Sequence, residues 1–442
     1  MSQTTAFHLD ARAEAWIHGA RATLFVVIWS LVWITLEPFG SLAGDDQPGA
    51  TSGNDFWQYV SFGLLAGMVA LATIGRRRQV QTALRDWMFL ALAAYASFTV
   101  VASGDPGASL RRYVLFVIVA FIAALIGILP RSRDEFARLL VGTCWLVVAL
   151  SYLGALLVPE LAIHQATDAV EARLAGDWRG VFTHKNLAGG AFATMVFIGI
   201  FAARIGQRLA GLGLVLASGL LLILSGAKSS LIILPLTLLV SGLCAGIRST
   251  ALRAVIVMTP LVLLLAIGVG TVLSPALGAL IRSLPIDTTF TGRTEIWVFA
   301  LDHIAQRPLT GYGFMAFWAL QYNRLEIDSG ESWVGASVYN AHNGFLDTAL
   351  NMGLIGLALT VVVFVVNPFV NHAKARRQGA DPALTTLFFQ LWLFCMYLSC
   401  MEAFLFIRAN PMWFALLVAV FGLRMMARFR VTKPVPNPRR AA

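Results

Sequence analysis

The stretch Ala137-Arg-Leu-Leu-Val-Gly-Thr-Cys-Trp-Leu-Val-Val-Ala-Leu-Ser-Tyr-Leu-Gly-Ala-Leu-Leu-Val158 decides the fold class. Its one charge, Arg138, lies at the start, and no acid or base follows up to Val158. A bilayer core about 30 Å thick is crossed by roughly 20 apolar residues in a helix. Every backbone polar group there must be paired internally, so such a run reads as a helix. Similar runs recur on both sides, near 22–40, 57–74, 87–103, 113–130, 187–203, 208–225, 230–247, 253–273, 345–368, 385–402 and 410–427. Charge within them sits near the ends, at Glu37, Arg138, Asp347, Glu402 and Arg424. Of the 442 residues 58% are hydrophobic and 13% charged, against about 25% charged in soluble domains. The expectation is an all-α polytopic membrane protein, a single transmembrane domain over 1–442 with about twelve spans. The first run is too long for a cleavable signal core and reads as an anchor that stays in place.

The net charge of +10 is explained by where the bases fall, so no nucleic acid is needed as a partner. With the N-terminus inside, 22 of the 33 Lys and Arg residues lie on inside segments, notably Arg76 to Arg85, Arg131 to Arg138, Lys374 to Arg377 and the tail after Arg424. By the positive-inside rule both termini face the cytoplasm. Inside loops are short and none can hold a nucleotide-binding domain. Two outside loops are larger, 159–186 and 274–344, and a loop of the second kind is usually functional or disordered. Trp297, Phe299, Trp318 and Trp333 argue against disorder. Apolar residues at 296, 297, 300, 301 and 304 have helical spacing, which predicts an amphipathic helix over 293–306 lying on the membrane surface. Cys144, Cys244, Cys395 and Cys400 all lie in apolar runs without metal-ligand spacing and read as packing residues.

Three outside motifs carry chemistry. Arg179-Gly-Val-Phe-Thr-His184-Lys185-Asn186 gathers three potential cations and an amide where the chain enters a span; it is either an anion site for a lipid-linked phosphate or a solvated loop against headgroups. Lys228, in the turn Ser225-Gly-Ala-Lys-Ser-Ser230, is either a ligand for the same anion or a snorkelling interfacial lysine. In Gly292-Arg-Thr-Glu-Ile-Trp297, Arg293 suits a diphosphate, because guanidinium meets phosphate oxygens bidentately, and Glu295 reads as the partner that orients it. In Asn340-Ala-His-Asn-Gly344, His342 titrates near neutral pH and suits a general base, although a lone interfacial histidine is more often structural. Asn343 beside it, like Glu295, is a candidate ligand for the diphosphate or the glycan.

Thr291-Gly-Arg-Thr-Glu-Ile-Trp297 with Arg307-Pro-Leu-Thr-Gly-Tyr-Gly313, and Ala341-His-Asn-Gly-Phe-Leu346 running into Asn351-Met-Gly-Leu-Ile-Gly356, resemble the bacterial O-antigen ligase/polymerase superfamily. Gly180-Val-Phe-Thr-His-Lys-Asn-Leu-Ala-Gly189 looks most like the ExoQ-like exopolysaccharide polymerases. The resemblance covers roughly 175–360. It implies a metal-independent, cofactor-free glycosyltransferase at the periplasmic face of the inner membrane. The donor would be an undecaprenyl-diphosphate-linked glycan and the acceptor a lipid-linked glycan or lipid A core, with chain-length or export proteins as partners. The family's basic residue after the serine-rich turn, its loop arginine and its histidine fall on Lys228, Arg293 and His342. Ligases typically carry arginine at the first of these, so Lys228 favours a polymerase.

On this reading Arg293 and Lys228, with Arg179, His184, Lys185 and Asn186 nearby, hold the diphosphate, and His342 takes the proton of the attacking sugar hydroxyl in a single inverting displacement. Trp297, Tyr312, Phe314, Trp318 and Trp333 either stack on sugars or anchor the loop at the interface. Competing readings are an O-antigen ligase, a polysaccharide transporter or flippase, and a non-catalytic scaffold. Transporters usually place ionisable groups at the midplane, which is here almost free of charge.

Overall fold

The computed structural model describes residues 11–35, 38–40, 53–168, 172–283, 292–321, 338–408 and 410–429. The expectations resting on Glu37, Thr291 and Trp333 lie outside these residues, as do parts of the two larger loops. The described chain is helical, with one isolated antiparallel bridge between Ile163 and Trp178. The principal helices are α1 (Ala11–Ile34), α2 (Gly53–Ala72), α3 (Arg77–Leu84), α4 (Trp87–Val101), α5 (Pro106–Ile126), α6 (Arg133–Leu157), α7 (Lys185–Arg204), α8 (Arg208–Leu224), α9 (Lys228–Gly246), α10 (Thr250–Ile267), α11 (Arg293–Gln306), α12 (Gly344–Arg377), α13 (Pro382–Leu398) and α14 (Pro411–Met426). Each of the twelve apolar runs falls on one of them. Seven have the length and hydropathy of a membrane crossing; α3 and α4 together form an eighth, bent by 54°; α2, α8, α13 and α14 are shorter apolar helices. The protein is an all-α polytopic membrane protein.

Local chemistry starts these helices where the sequence allows. Asp105, Asp381 and Asn410 each accept a backbone N–H of the first turn and are each followed by proline, whose fixed φ and missing N–H suit that position. Packing then sorts them into layers. In α7, 78% of the span window is buried, and nearly all of α13 and α14 is buried, whereas α10 is only 17% buried. The centre thus consists of α7, α13 and α14. Helices α7 and α8 meet at Gly199 and Gly211, where a methyl group on either would lie within 2.7 Å of the other's carbonyl oxygen. Small residues of this kind let helix backbones approach closely in a membrane.

One end of the bundle is tied by arginines. Arg424 pairs with Asp86 at 3.1 Å and donates to the carbonyls of Thr82 and Arg85. Arg133 pairs with Asp381 at 2.9 Å. The opposite end carries the large loop, and its helix corrects one expectation. The spacing places α11 correctly, but its apolar face, Ile296, Trp297, Ala300 and Ile304, is buried in a cluster with Leu346, Ala349 and Leu350 of α12. That face is covered by protein rather than by the membrane. The four described aromatics go the same way: Trp297, Tyr312, Phe314 and Trp318 are buried. Trp297 donates to the Ala341 carbonyl and Trp318 to Asp347 Oδ1. They fill a core, so neither sugar stacking nor interfacial anchoring describes them.

The Arg307–Gly313 segment docks along α12 through backbone contact. Tyr312 and Gly313 donate to the carbonyls of Leu350 and Asn351, and Leu354 donates to that of Pro308. Gly353 makes this possible: at φ 66°, ψ −175° it breaks the helical path inside α12, and a Cβ there would lie 2.2 Å from the Leu309 oxygen. Tyr95 of α4 clamps the seam, its hydroxyl donating to the Leu309 and Met352 carbonyls. Gly353→Ala adds backbone strain of about 1–3 kcal/mol to that clash. The expected outcome is a lower melting temperature and faster proteolysis within 292–321, read by limited digestion of the detergent-solubilised protein.

Candidate functional site

The site is built at helix starts. Asn343 is the N-cap of α12: its Oδ1 accepts from the N–H groups of Phe345 and Leu346, and its Nδ2 donates to the Cys400 carbonyl at 2.9 Å. Gly344 donates to the Ser399 carbonyl, and a side chain there would collide with Leu405. The loop that follows α13 is therefore locked onto the start of α12. Asn343 is fully buried with its amide engaged, so it builds the site; the glycan-ligand role expected for it does not fit that environment. Just before it, His342 adopts φ 48°, a left-handed conformation more common for His, Asn and Asp than for other side-chain-bearing residues. Asn340 holds it there by accepting the His342 N–H at 2.8 Å.

The docked loop delivers Glu402. Arg293, the first residue of α11, follows Gly292 at φ 81°. A cation at a helix N-terminus is disfavoured by the helix dipole. Glu402 offsets this: its Oε1 lies 3.1 Å from Arg293 Nη2, while Nη1 donates to the Met401 carbonyl. Its Oε2 lies 3.8 Å from His342 Nδ1, within ion-pair range and beyond hydrogen-bond distance. Burial works against ionising Glu402, but Arg293 and then His342 outweigh it and hold its pKa down at about 2. His342 is pushed below the usual histidine value, by burial first and by Arg293 second, with Glu402 opposing. The imidazole is thus neutral at physiological pH, and its Nε2 has no described partner. Glu295 does not orient Arg293; it accepts from the neighbouring Thr294 hydroxyl at 3.1 Å.

The other two motifs form an adjoining wall. His184 caps α7, its Nδ1 accepting the Asn186 N–H at 3.1 Å, and lies within electrostatic reach of His342. Lys185 is paired with Asp177 at 2.6 Å, so its charge is already met inside the protein. Arg179 is 3% exposed and donates to the Thr183 carbonyl. The serine-rich turn packs on this loop: Trp178 donates to the Leu224 carbonyl, and a Cβ on Gly226, at φ 59°, would lie 2.6 Å from Asp177 Oδ1. Lys228, two residues on, is exposed and makes no hydrogen bond or ion pair among the described residues. The structure thus brings His184, Arg293, His342 and Glu402 into one cluster, with Lys228 free on the adjoining turn, Lys185 paired with Asp177, and Arg179 buried with its Nε unpartnered. Glu402 was visible in the sequence only as a charge near a span end. A lone carboxylate in an apolar run was the available signal, since such groups usually have a partner.

A family profile described as O-antigen ligase matches residues 212–361, a stretch holding Lys228, Arg293 and His342. The exopolysaccharide production protein ExoQ of Rhizobium meliloti (strain 1021) is 28% identical over 320 residues, 68% of each chain. Over these residues the chain is similar to the O-antigen ligase/polymerase proteins. Within the superfamily match, Arg293 and His342 come from opposite ends of the large loop. Glu402, which joins them, lies beyond the matched residues.

The Arg293–Glu402 pair is mostly buried, each side chain 15% exposed. Breaking a buried pair leaves an uncompensated charge and costs about 3–5 kcal/mol, less where water reaches it. Glu402→Gln is expected to lower stability by about 2–3 kcal/mol at pH 7. Glu402 has a depressed folded pKa, so its contribution is present above the ordinary glutamate value and is lost as pH falls from there towards about 2. Thermal melts from pH 7 to 3 should therefore show wild type and Glu402→Gln converging in acid.

Proposed function

We propose that this chain polymerises undecaprenyl-diphosphate-linked oligosaccharide repeats at the periplasmic face of the inner membrane, by inverting glycosyl transfer. The observation that carries this reading is the joining of Arg293 and His342 through Glu402 at one end of the bundle. The arginine-tied end opposite supports the orientation, because basic residues favour the cytoplasmic side.

The acceptor hydroxyl of one lipid-linked repeat attacks the anomeric carbon of another. The C1–O bond to the diphosphate breaks, and undecaprenyl diphosphate leaves with the bonding pair. Negative charge grows on that leaving group. Arg293, fixed by Glu402, meets it as a preorganised cation, which stabilises a developing anion more than mobile water does, and Lys228, unpaired on its turn, adds a second positive charge. The hydroxyl proton goes to His342 Nε2; Glu402 then faces the imidazolium across Nδ1 and stabilises it. Lys185, paired with Asp177, and Arg179, which donates to the Thr183 carbonyl, shape the loop that carries His184. The ligase reading differs in its acceptor, lipid A core. Lysine rather than arginine at 228 and the ExoQ relative favour the polymerase.

Reconstitution with a defined undecaprenyl-diphosphate oligosaccharide, followed by mass analysis of the products, tests this. Wild type should yield a ladder of repeats. His342→Ala is expected to lose roughly 10²- to 10⁴-fold in rate, the usual weight of a general base, and Arg293→Ala to lose extension, both measured per mole of folded protein because Arg293→Ala also breaks the pair with Glu402. Near-normal ladders in either variant contradict the assignment.

The pH profile supplies a second check. The active base is neutral His342, so extension should hold at neutral pH and fall only below the ordinary histidine value. Glu402 raises the His342 pKa, so residual activity in Glu402→Gln should show its acid limb at lower pH than wild type.

A further inference from the structure

At the end of the bundle away from Arg293 and His342, the start of α10 meets the tail of α12. Arg248, Arg253, His372, Arg376 and Arg377 gather there. Arg376 donates to the carbonyls of Cys244 and Ala245 at 2.7 and 2.9 Å, closing the end of α9. Arg377 donates to Thr250 Oγ1 at 3.0 Å, and Arg253 Nη2 to the Arg248 carbonyl at 3.1 Å. Arg253 is 4% exposed, and its Nε and Nη1 have no hydrogen-bond partner. His372 is 3% exposed, stacked on Phe389 at 3.7 Å, with Nδ1 equally unpartnered. Arg253 lies within electrostatic reach of Arg376 and Arg377, and His372 within reach of Arg376 and Arg253.

Two other arginines at this end meet acids, Arg424 with Asp86 and Arg133 with Asp381. Arg248, Arg253, Arg376 and Arg377 form no ion pair among the described residues. Burying a guanidinium beside others of like charge, with two N–H groups unsatisfied, is unfavourable unless an anion completes the set. The fold gathers the cations and leaves that anion to come from elsewhere.

We propose that this cluster binds a phosphoryl oxyanion, supplied as the headgroup of an anionic phospholipid. Arg248, Arg376 and Arg377 form the exposed rim and Arg253 the floor. Guanidinium forks suit phosphoryl oxygens, and the N-terminus of α10 adds its favourable dipole. A lipid fits better than a free ion because the flanking helices continue the site as an apolar surface. Leu239 and Leu243 of α9 and Leu252 and Val255 of α10 are exposed directly beyond the arginines, where acyl chains would lie. Basic pockets between membrane helices take lipid headgroups in this way. The proposal is independent of the glycosyl-transfer reading, which serves only to name the leaflet as cytoplasmic.

The test is thermal unfolding of the purified full-length protein in detergent with three additions: phosphatidylglycerol, phosphatidylcholine at equal mole fraction, and millimolar inorganic phosphate. Phosphatidylglycerol should raise the melting temperature several degrees more than phosphatidylcholine, and phosphate should raise it less. A phosphate effect equal to that of phosphatidylglycerol keeps the phosphoryl site and assigns its occupant to water. Equal melting with all three overturns the proposal whatever the variants do. Arg253→Gln with Arg377→Gln should lose most of the phosphatidylglycerol increment. In detergent alone Arg253→Gln should melt no lower than wild type, since it removes an uncompensated charge. A marked drop there would show that the guanidinium is already satisfied internally and would also overturn the proposal.

Discussion

The carboxylate of Glu402 governs the arrangement around it. Arg293 stands at a helix N-terminus against the local dipole, and His342 is held in a left-handed backbone conformation. Neither position is comfortable alone. Glu402 compensates one with a direct ion pair and faces the other at longer range. Its own burial is tolerable because those two groups are there. Three segments far apart in the chain are thereby bound to one geometry: the start of α11, the turn before α12 and the loop after α13.

The seam between the large loop and α12 gives that geometry its stiffness. A segment joined to a membrane helix by backbone hydrogen bonds, with glycines removing the side chains that would hold them apart, moves with that helix. Phe314 extends the connection into the bundle centre, touching the rings of Tyr113, Phe116 and Phe406. Such support matters for the proposed glycosyl transfer, where displacements of about 1 Å in a reacting group are costly in rate. Sites carried on regular, packed elements keep their geometry better than sites on free loops.

Much of this was legible in the chain. The apolar runs mark the helices because a bilayer leaves the backbone no other way to satisfy itself. The spacing of Ile296, Trp297, Ala300 and Ile304 located α11, since helical periodicity is local. What that face packs against is not local, and the membrane was the wrong partner for it. Composition made Trp297 and Trp318 look like interfacial aromatics, because only the fold shows the carbonyl and carboxylate that take their N–H groups. Glu295 looked like the partner of Arg293 because it is near in sequence, whereas the actual partner is 109 positions away. The same holds for Lys185: its pairing with Asp177 depends on a loop conformation that no motif announces.

The four thiols have a practical consequence. Cys144, Cys244, Cys395 and Cys400 are unbridged and buried, each at most 2% exposed. A maleimide added to intact cells or vesicles meets little from the native sequence. Single cysteines introduced at loop positions will therefore report membrane sidedness against a silent background, with no prior removal of the natural ones.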